Sequence, residues 1–492
     1  MKRLIWILPV LASGFLAIGC PSFPDACDYG GCLDGGADGV AVVDGQSGDG
    51  SVDAKADVDP PPPGCDTPNE PLKNPEKCLV DSFGAFVSPT GDDANPGTKA
   101  KPFKTIGKAL GAGKSRVVVC EGTYAESLDI SKDLEVYSGI SCDFAKAGGK
   151  AKVVATKPEY AISIVKSASA VRLDSLDVEA IDGTTTSVNS VALVANEVAS
   201  LKLVGVSLTA KKGLDGKKGD EGTVGATGDV GNDAMGATPA VGKSKVCGSV
   251  TTSGGAGGAA GADGAKGGPS GVPENPSGAN GLGGVSGVNC NSGGNAGFGH
   301  AGAEPTPTAP APKPSLLGTL TTFWSPSRGQ DGAAGGPGQG GGGGAGISGG
   351  GGGGGTGGCG GTGGKGGQGG GASIALLSIS STVTLQSASL RAGDGGGGGA
   401  GGGGGNGGPG GPGGAGAGAG GGCQAGSGGQ GAKGGAGSGG AGGISVPVLY
   451  KGTKPGGDAT YTFGTPGAGG TGGAAGVNDG PIGVAQNELE AP

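Results

Sequence analysis

Apolar residues recur on alternate positions in three stretches that lie far apart along the chain. Residues 160–183 read YAISIVKSASAVRLDSLDVEAIDG, residues 190–213 read SVALVANEVASLKLVGVSLTAKKG, and residues 372–395 read ASIALLSISSTVTLQSASLRAGDG. Aligned without a gap over 24 positions, they place Val171, Leu201 and Val383 in one column and Leu173, Leu203 and Leu385 in another. Leu176, Val206 and Ala388 align further on, as do Val178, Leu208 and Leu390, and then Ala180, Ala210 and Ala392. Each unit ends on glycine, at Gly183, Gly213 and Gly395. Alternation of this kind is the pattern of a strand with one buried face. A unit of this length that repeats and closes on glycine predicts a solenoid coil, each apolar row stacking on the next. A fourth unit begins at GGISVPVLY, residues 442–450, with Val446 and Val448 under Ile374 and Leu376. Less regular coils precede these at 116–130, 134–139 and 151–156. The expected fold is all-β, a parallel β-helix.

What separates the coils is glycine. The chain has 492 residues, 127 of them Gly, and most of these fall in two insertions, 214–371 and 396–442. Glycine adds no side chain to a core and loses the most freedom on ordering, so burial must come from the coils. Both insertions leave after the glycine that ends one coil and return before the next, which predicts that they emerge side by side. In GLDGKKGDEGTVGATGDVG, residues 213–231, glycine occupies every third position. Three readings compete: a collagen triple helix, a bundle of extended polyglycine II strands, and a flexible linker. The first needs proline and three chains in register. The second uses the same steric logic within one chain.

Residues 1–19 carry two basic residues, an apolar run and small residues before Cys20. This is the form of an export leader. Its end, Leu16-Ala17-Ile18-Gly19-Cys20, resembles the lipobox of bacterial lipoproteins, which implies that Cys20 carries lipid and anchors the chain to an outer membrane or cell surface; the alternative is ordinary signal-peptidase cleavage. Removing Cys20 from the 11 cysteines leaves ten, a number that can pair fully in an oxidising compartment. Cys27 and Cys32 are expected to close a small loop, and Cys65 and Cys78 are further candidates. Cys120 and Cys142 sit about one coil apart, within disulfide reach across neighbouring strands. The first insertion holds Cys247, Cys290 and Cys359 and the second only Cys423, so one bridge must cross. The expected pairing is Cys359 with Cys423 and Cys247 with Cys290. Residues 20–64 are Asp-, Gly- and Pro-rich and lack the spacing of a calcium loop, which predicts a solvated tether. The coils are then divided as 65–213, 372–395 and 443–492.

The stretch FVSPTGDDANPGTKAKPFKTIGKAL, residues 86–110, followed by VVVCEGTYAESL, resembles the opening of bacterial right-handed parallel β-helix proteins of the pectate-lyase-like group. The resemblance implies a right-handed solenoid with a capping helix, whose Phe103, Ile106 and Leu110 share one face over the open first coil. It also implies polysaccharide lyase or hydrolase activity as an alternative function. Such sites need clustered carboxylates holding calcium with a base, or paired acids. The outward residues Arg172, Asp174, Asp177 and Glu179 are the candidates, yet the next coil places Lys202, Val204, Ser207 and Thr209 in those columns. No acidic cluster builds up. His300 has no evident partner, and GxGxxG matches inside glycine tracts lack the strand–turn–helix context that gives them meaning.

A formal charge of −8 with no basic run argues against nucleic acid. SLLGTLTTFWSPSRG, residues 315–329, is the apolar island of the first insertion. It either anchors that insertion to the coils or offers Phe323 and Trp324 as a ligand patch that stacks sugar rings. Together these features predict a non-enzymatic, lipid-anchored structural or adhesive protein without metal or cofactor. Its expected partners are the membrane, an extracellular polysaccharide or another surface protein, and a periplasmic spacer is the remaining alternative.

Overall fold

The computed structural model describes residues 63, 65, 70–165, 170–267, 281–287, 289–290, 302, 304 and 307–492. Cys20, Cys27, Cys32 and His300 lie outside the described residues. The chain is mostly β, with few and short helices. An eleven-stranded sheet and a six-stranded sheet are built from parallel pairs of strands distant in sequence, which is the wiring of a parallel solenoid.

Leu201 pairs with Val171 on one side and Val383 on the other, and Leu203 with Leu173 and Leu385. Leu208 lies between Val178 and Leu390 in the same way. All nine side chains are buried in one continuous apolar core. Between the second and third strands of each coil the chain turns through a left-handed residue. Ser175, Gly205 and Ser387 stack there with φ of 58°, 58° and 50°. The first strand departs from the ungapped alignment by one residue: Val191 pairs with Ile374 and Leu193 with Leu376. The left-handed residues Glu197 and Ser380 mark where the count diverges. Four steps lead from Glu197 to Leu201 but three from Ser380 to Val383. Val446 and Val448 pair with Ile374 and Leu376.

The helix Ile106–Leu110 closes one end of the core. Ile106 and Ala109 are its buried face and Leu110 only partly joins them, while Phe103 reaches the core from the extended segment that bridges to Val87. The expected face of Phe103, Ile106 and Leu110 is therefore corrected, because the helix starts after Phe103. Thr105 caps it by accepting from the Lys108 amide. Glu126 accepts from the amides of Ile106 and Gly107, satisfying donors left free at a helix start. Asp93 accepts from the amides of Lys104 and Thr105. Gly97 has φ +77°, and a Cβ there would lie 2.2 Å from the Phe103 ring.

A second layer covers the outside of the first coils. Two short helices, Glu70–Lys73 and Pro75–Cys78, are tied by the Cys65–Cys78 bridge. Leu79, Phe83, Phe86, Tyr137, Ile140 and Phe144 form its apolar contact. Cys120 and Cys142 are bonded across neighbouring strands.

The glycine tracts are joined by backbone hydrogen bonds that recur every third residue. Gly216, Gly219, Gly222, Gly225, Gly228 and Gly231 donate in turn to the carbonyls of Gly397, Ala400, Gly403, Asn406, Pro409 and Pro412. The segment 353–371 donates to three sides in rotation, and its carbonyls accept from two further rows, as from Gly405 to Thr362 and from Gly335 to Gly361. Thr356, Cys359 and Thr362 donate to Asp229, Ala226 and Thr223, Gly355, Gly358 and Gly361 donate to Gly426, Gly429 and Ala432, and Gly354 donates to Gly255. Three residues per turn with bonds on three sides is the geometry of extended, close-packed chains. At about 3.1 Å per residue the row from Gly213 to Ala234 extends roughly 65 Å. Both insertions begin and end side by side: a Cβ on Gly213 would lie 2.0 Å from the Gly371 carbonyl, and one on Gly395 would lie 2.3 Å from that of Gly443.

Two bridges hold this lobe, Cys247–Cys359 and Cys290–Cys423. One bridge crosses between insertions, but the expected pairing of Cys359 with Cys423 and Cys247 with Cys290 is wrong. The hairpin of Ser244–Cys247 and Val250–Ser253 folds back along the lobe, which carries Cys247 to Cys359 and leaves Cys423 for Cys290.

Candidate functional site

Strand alternation turns Arg172, Asp174, Asp177 and Glu179 outward, but they meet two environments. Arg172 and Asp174 are 7% and 2% exposed, and the Arg172 guanidinium lies over the Tyr137 ring, 5.9 Å from its centroid. Arg172 and Asp174 form an ion pair, and the Ser175 hydroxyl donates to Asp174 at 2.8 Å. The neighbouring coil continues the chain of contacts: Tyr137 donates to Glu135 at 3.1 Å, and Arg116 bonds the same carboxylate at 3.0 Å. Burial and the adjacent Glu135 push the Tyr137 hydroxyl pKa up. Every group here is committed to a partner within the fold.

Asp177 and Glu179 lie on a shallow surface of about 210 Å³ with Lys152, Ser207 and Thr209. Glu179 is held between Lys152 at 2.7 Å and Lys211 at 2.8 Å. Those two ammonium groups, Lys152 first, hold its carboxyl below the usual range. A general acid for glycoside cleavage needs the opposite shift. Asp177 faces Lys150 at 3.4 Å. Charge is neutralised along this face and does not converge on a reacting atom.

The island 315–329 is docked on the coils. Trp324 is 4% exposed and packs with Val191, Val194, Ile374 and Leu377, and its backbone carbonyl accepts from Asn189 at 2.6 Å. Phe323 is partly buried and stacks on Tyr160 with ring centroids 6.2 Å apart and planes at 2°. The expectation of a stacking patch at Phe323 and Trp324 is corrected, because the Trp324 face is already covered by the coil.

Docking this island brings Arg328 and Asp331 beside the first glycine strand. There they meet Lys217, Lys218, Asp220, Lys365 and Gln368 around a cleft of about 430 Å³. Asp331 organises it: it accepts from Lys365 at 3.0 Å, from Arg328 at 2.7 Å and from the Gly366 amide at 2.9 Å. The Gly366 amide and then Lys365 hold its carboxyl below the usual range. Lys218 pairs with Glu221 at 2.6 Å. Four cations against two carboxylates line this cleft on a chain of formal charge −8. Its volume suits a small ligand, and its polar walls suit a hydrated one with hydroxyl or acidic groups. The sequence reading missed it. The available signal was the third position of the Gly-Gly-X rows, where Lys365 and Gln368 stand, because that position points away from both glycine-lined neighbours.

Residues 89–219 match a family of proteins of unknown function, DUF1565. That family is associated with parallel β-helices, and the match covers the capping helix and the first coils but little of the glycine lobe. An uncharacterized protein of Bacillus subtilis (strain 168), YwoF, is 49% identical over 47 residues, 9% of this chain and 10% of the relative. The aligned part thus spans about a tenth of that relative's length. No solved structure matches the chain significantly. Among the described residues no group of three or more His, Cys, Asp or Glu could hold a metal ion, and no helix is long and apolar enough to cross a membrane.

Proposed function

We propose that this chain is a lipid-anchored, non-enzymatic envelope or surface protein, in which the β-coils form a base and the glycine insertions form an ordered polyglycine II lobe that makes adhesive contacts. The observation that carries this reading is the three-residue hydrogen-bond rhythm joining 213–234, 353–371, 396–414 and 425–443 into one body continuous with the coils. A linker of the same composition has no use for such bonds, which cross between segments up to about 180 residues apart, as from Gly216 to Gly397. The candidate contact surface is the cleft around Asp331. It is the place where the lobe gathers charged groups of both signs with an excess of cations. On the coils, Asp177 and Glu179 are paired with lysines, which favours a structural role over hydrolysis.

Protease shaving of intact cells tests this. Release of peptides from 214–371 without breaking the cells is the expected result, together with loss of membrane association when Cys20 is replaced by Ala. Protection of those peptides until the outer membrane is opened would transfer the role to a periplasmic spacer and refute surface adhesion.

A further inference from the structure

The C-terminal segment shows what one more strand in the lobe requires. From Thr465 to Gly473 it lies in the groove between the strands 396–414 and 425–443. Gly398 and Gly401 donate to the carbonyls of Ala468 and Thr471 at 2.8 Å, and Gly467, Gly470 and Gly473 donate to those of Gly443, Gly440 and Gly437 at 2.9 Å. Glycine is needed at those three positions. A Cβ on Gly467, Gly470 or Gly473 would lie 1.9, 1.9 or 2.0 Å from the carbonyls of Gly396, Gly399 or Gly402. At Ala474–Val477 the segment turns back and leaves the groove.

The groove itself does not end there. A Cβ on Gly404, Gly407 or Gly410 would lie 1.8, 1.8 or 1.9 Å from the carbonyls of Gly434, Gly431 or Gly428, close to the 2.1 and 2.2 Å found at Gly398 and Gly401. The two walls therefore keep their spacing and register. Among the described residues, the amides of Gly404, Gly407 and Gly410 have no acceptor, and the carbonyls of Gly428, Gly431 and Gly434 have no donor. Gly404, Gly410 and Gly428 are partly exposed, and Gly407, Gly431 and Gly434 between them are buried. The Gln430 side chain reaches over this stretch and donates to the Gly407 carbonyl at 3.2 Å.

We propose that this open stretch is a docking slot for an extended peptide strand of another polypeptide with glycine at every third position. It runs on in register from residues 465–473, so the chemistry of that segment defines its occupant. Nine residues, or about 28 Å at 3.1 Å per residue, fill it. The strand accepts from Gly404, Gly407 and Gly410 and donates to Gly428, Gly431 and Gly434. Recognition is by main-chain bonds, as when a strand adds to a sheet edge, and selectivity comes from steric exclusion of any Cβ at the third positions.

The probe is a nine-residue peptide of the sequence TPGAGGTGG, and the readout is residue-level amide exchange in the full chain. Free protein should show slow exchange at Gly398 and Gly401 and fast exchange at Gly404, Gly407 and Gly410, and the peptide should slow the latter three. A peptide with alanine at its three glycines equivalent to Gly467, Gly470 and Gly473 should bind at least about tenfold more weakly. Gln430→Ala should tighten binding by about threefold to tenfold, the range of one modest hydrogen bond. Slow exchange at Gly404, Gly407 and Gly410 without peptide would show the slot already filled and overturn the proposal. So would an unchanged rate at saturating peptide, or equal binding of the alanine peptide. Fast exchange at Gly398 and Gly401 as well would instead refute the ordered lobe, so the two readings fail separately.

Discussion

Replacing Gly222 by Ala decides between a packed lobe and a linker, because the first predicts a loss of stability and the second none. A Cβ at Gly222 would lie 2.1 Å from the Thr362 carbonyl and 2.5 Å from the Gly405 amide nitrogen. The first distance is 1.3 Å short of the 3.4 Å at which ordinary contact begins (3.4 less 2.1). Both obstacles are backbone of different strands, so neither can turn aside as a side chain would. The strands must part, and the bonds from Gly222 to Gly403 and from Thr362 to Thr223 lengthen with them. Overpacking of this kind costs about 1–3 kcal/mol. In a flexible tract the same change restricts the folded and unfolded chain alike and leaves stability close to unchanged. Gly418 is the internal control: it lies in the short helix Gly418–Gly421, has an ordinary φ, and nothing stands within 4 Å of a Cβ built on it. The expected outcome is a lower thermal midpoint for Gly222→Ala and an equal or higher one for Gly418→Ala, with faster amide exchange around 219–228 in the former alone. Equal midpoints for both variants would refute the packed lobe.

Two further expectations rest on charge. Asp174→Ala leaves the Arg172 guanidinium buried without its carboxylate and should cost about 3–5 kcal/mol in denaturant unfolding, whereas leucine at both positions should recover most of that; a single-variant cost under about 1 kcal/mol would contradict the buried pair. Asp215 is held below its usual range by the Gly397 amide and then by Lys212, and Glu221 by Lys218 and then by the Gly403 amide. Both have a folded pKa below the unfolded one, so their contribution is complete above the unfolded value of about 4 and is lost as pH falls through the folded value. The thermal midpoint should therefore be flat from pH 7 to about 5 and fall below about 4, with a shallower fall in Asp215→Asn; an unchanged acid limb in that variant would count against the carboxylate cap.

The coil columns were legible because burial on one face of a strand leaves a period of two, and the left-handed corner keeps the second and third strands in step. The first strand slipped because the loop from Glu197 to Leu201 is one residue longer than that from Ser380 to Val383, and nothing apolar marks the extra residue. Alternation turned Arg172 and Asp174 outward, yet outward did not mean solvated. Arg172 lies over Tyr137, which packs in turn with Leu79 and Phe83, and those two carry no periodic signal of their own. The cysteine pairing failed for a similar reason: parity fixes that one bridge crosses, but only the fold-back of the hairpin near Cys247 decides which.

The glycine lobe obeys a rule that single-sequence reading can use. In 213–231 one residue in three is glycine, and those glycines alone face backbone, as at Gly216 and Gly219, where a Cβ would lie 2.1 and 2.0 Å from the carbonyls of Gln368 and Lys365. In 354–370 glycine takes two positions in three, and Thr356, Cys359, Thr362, Lys365 and Gln368 take the rest. From Gly340 to Gly344 every residue is glycine, and each Cβ would fall within 2.1 Å of a carbonyl from a different residue: Ser253, Gly426, Leu282, Ala256 and Cys423. The number of glycines per triplet thus counts how many of a strand's three side-chain directions face backbone. Proline obeys the same logic through its missing amide. Pro409 and Pro412 stand in the row 397, 403 and 415, whose amides have no backbone acceptor and are met by Asp215, Glu221 and Asp233. Along that row carboxylates meet three amides and proline removes two more, while those of Ala400 and Asn406 have no acceptor among the described residues, and it lies on the same strand whose opposite side leaves the amides of Gly404, Gly407 and Gly410 without acceptors.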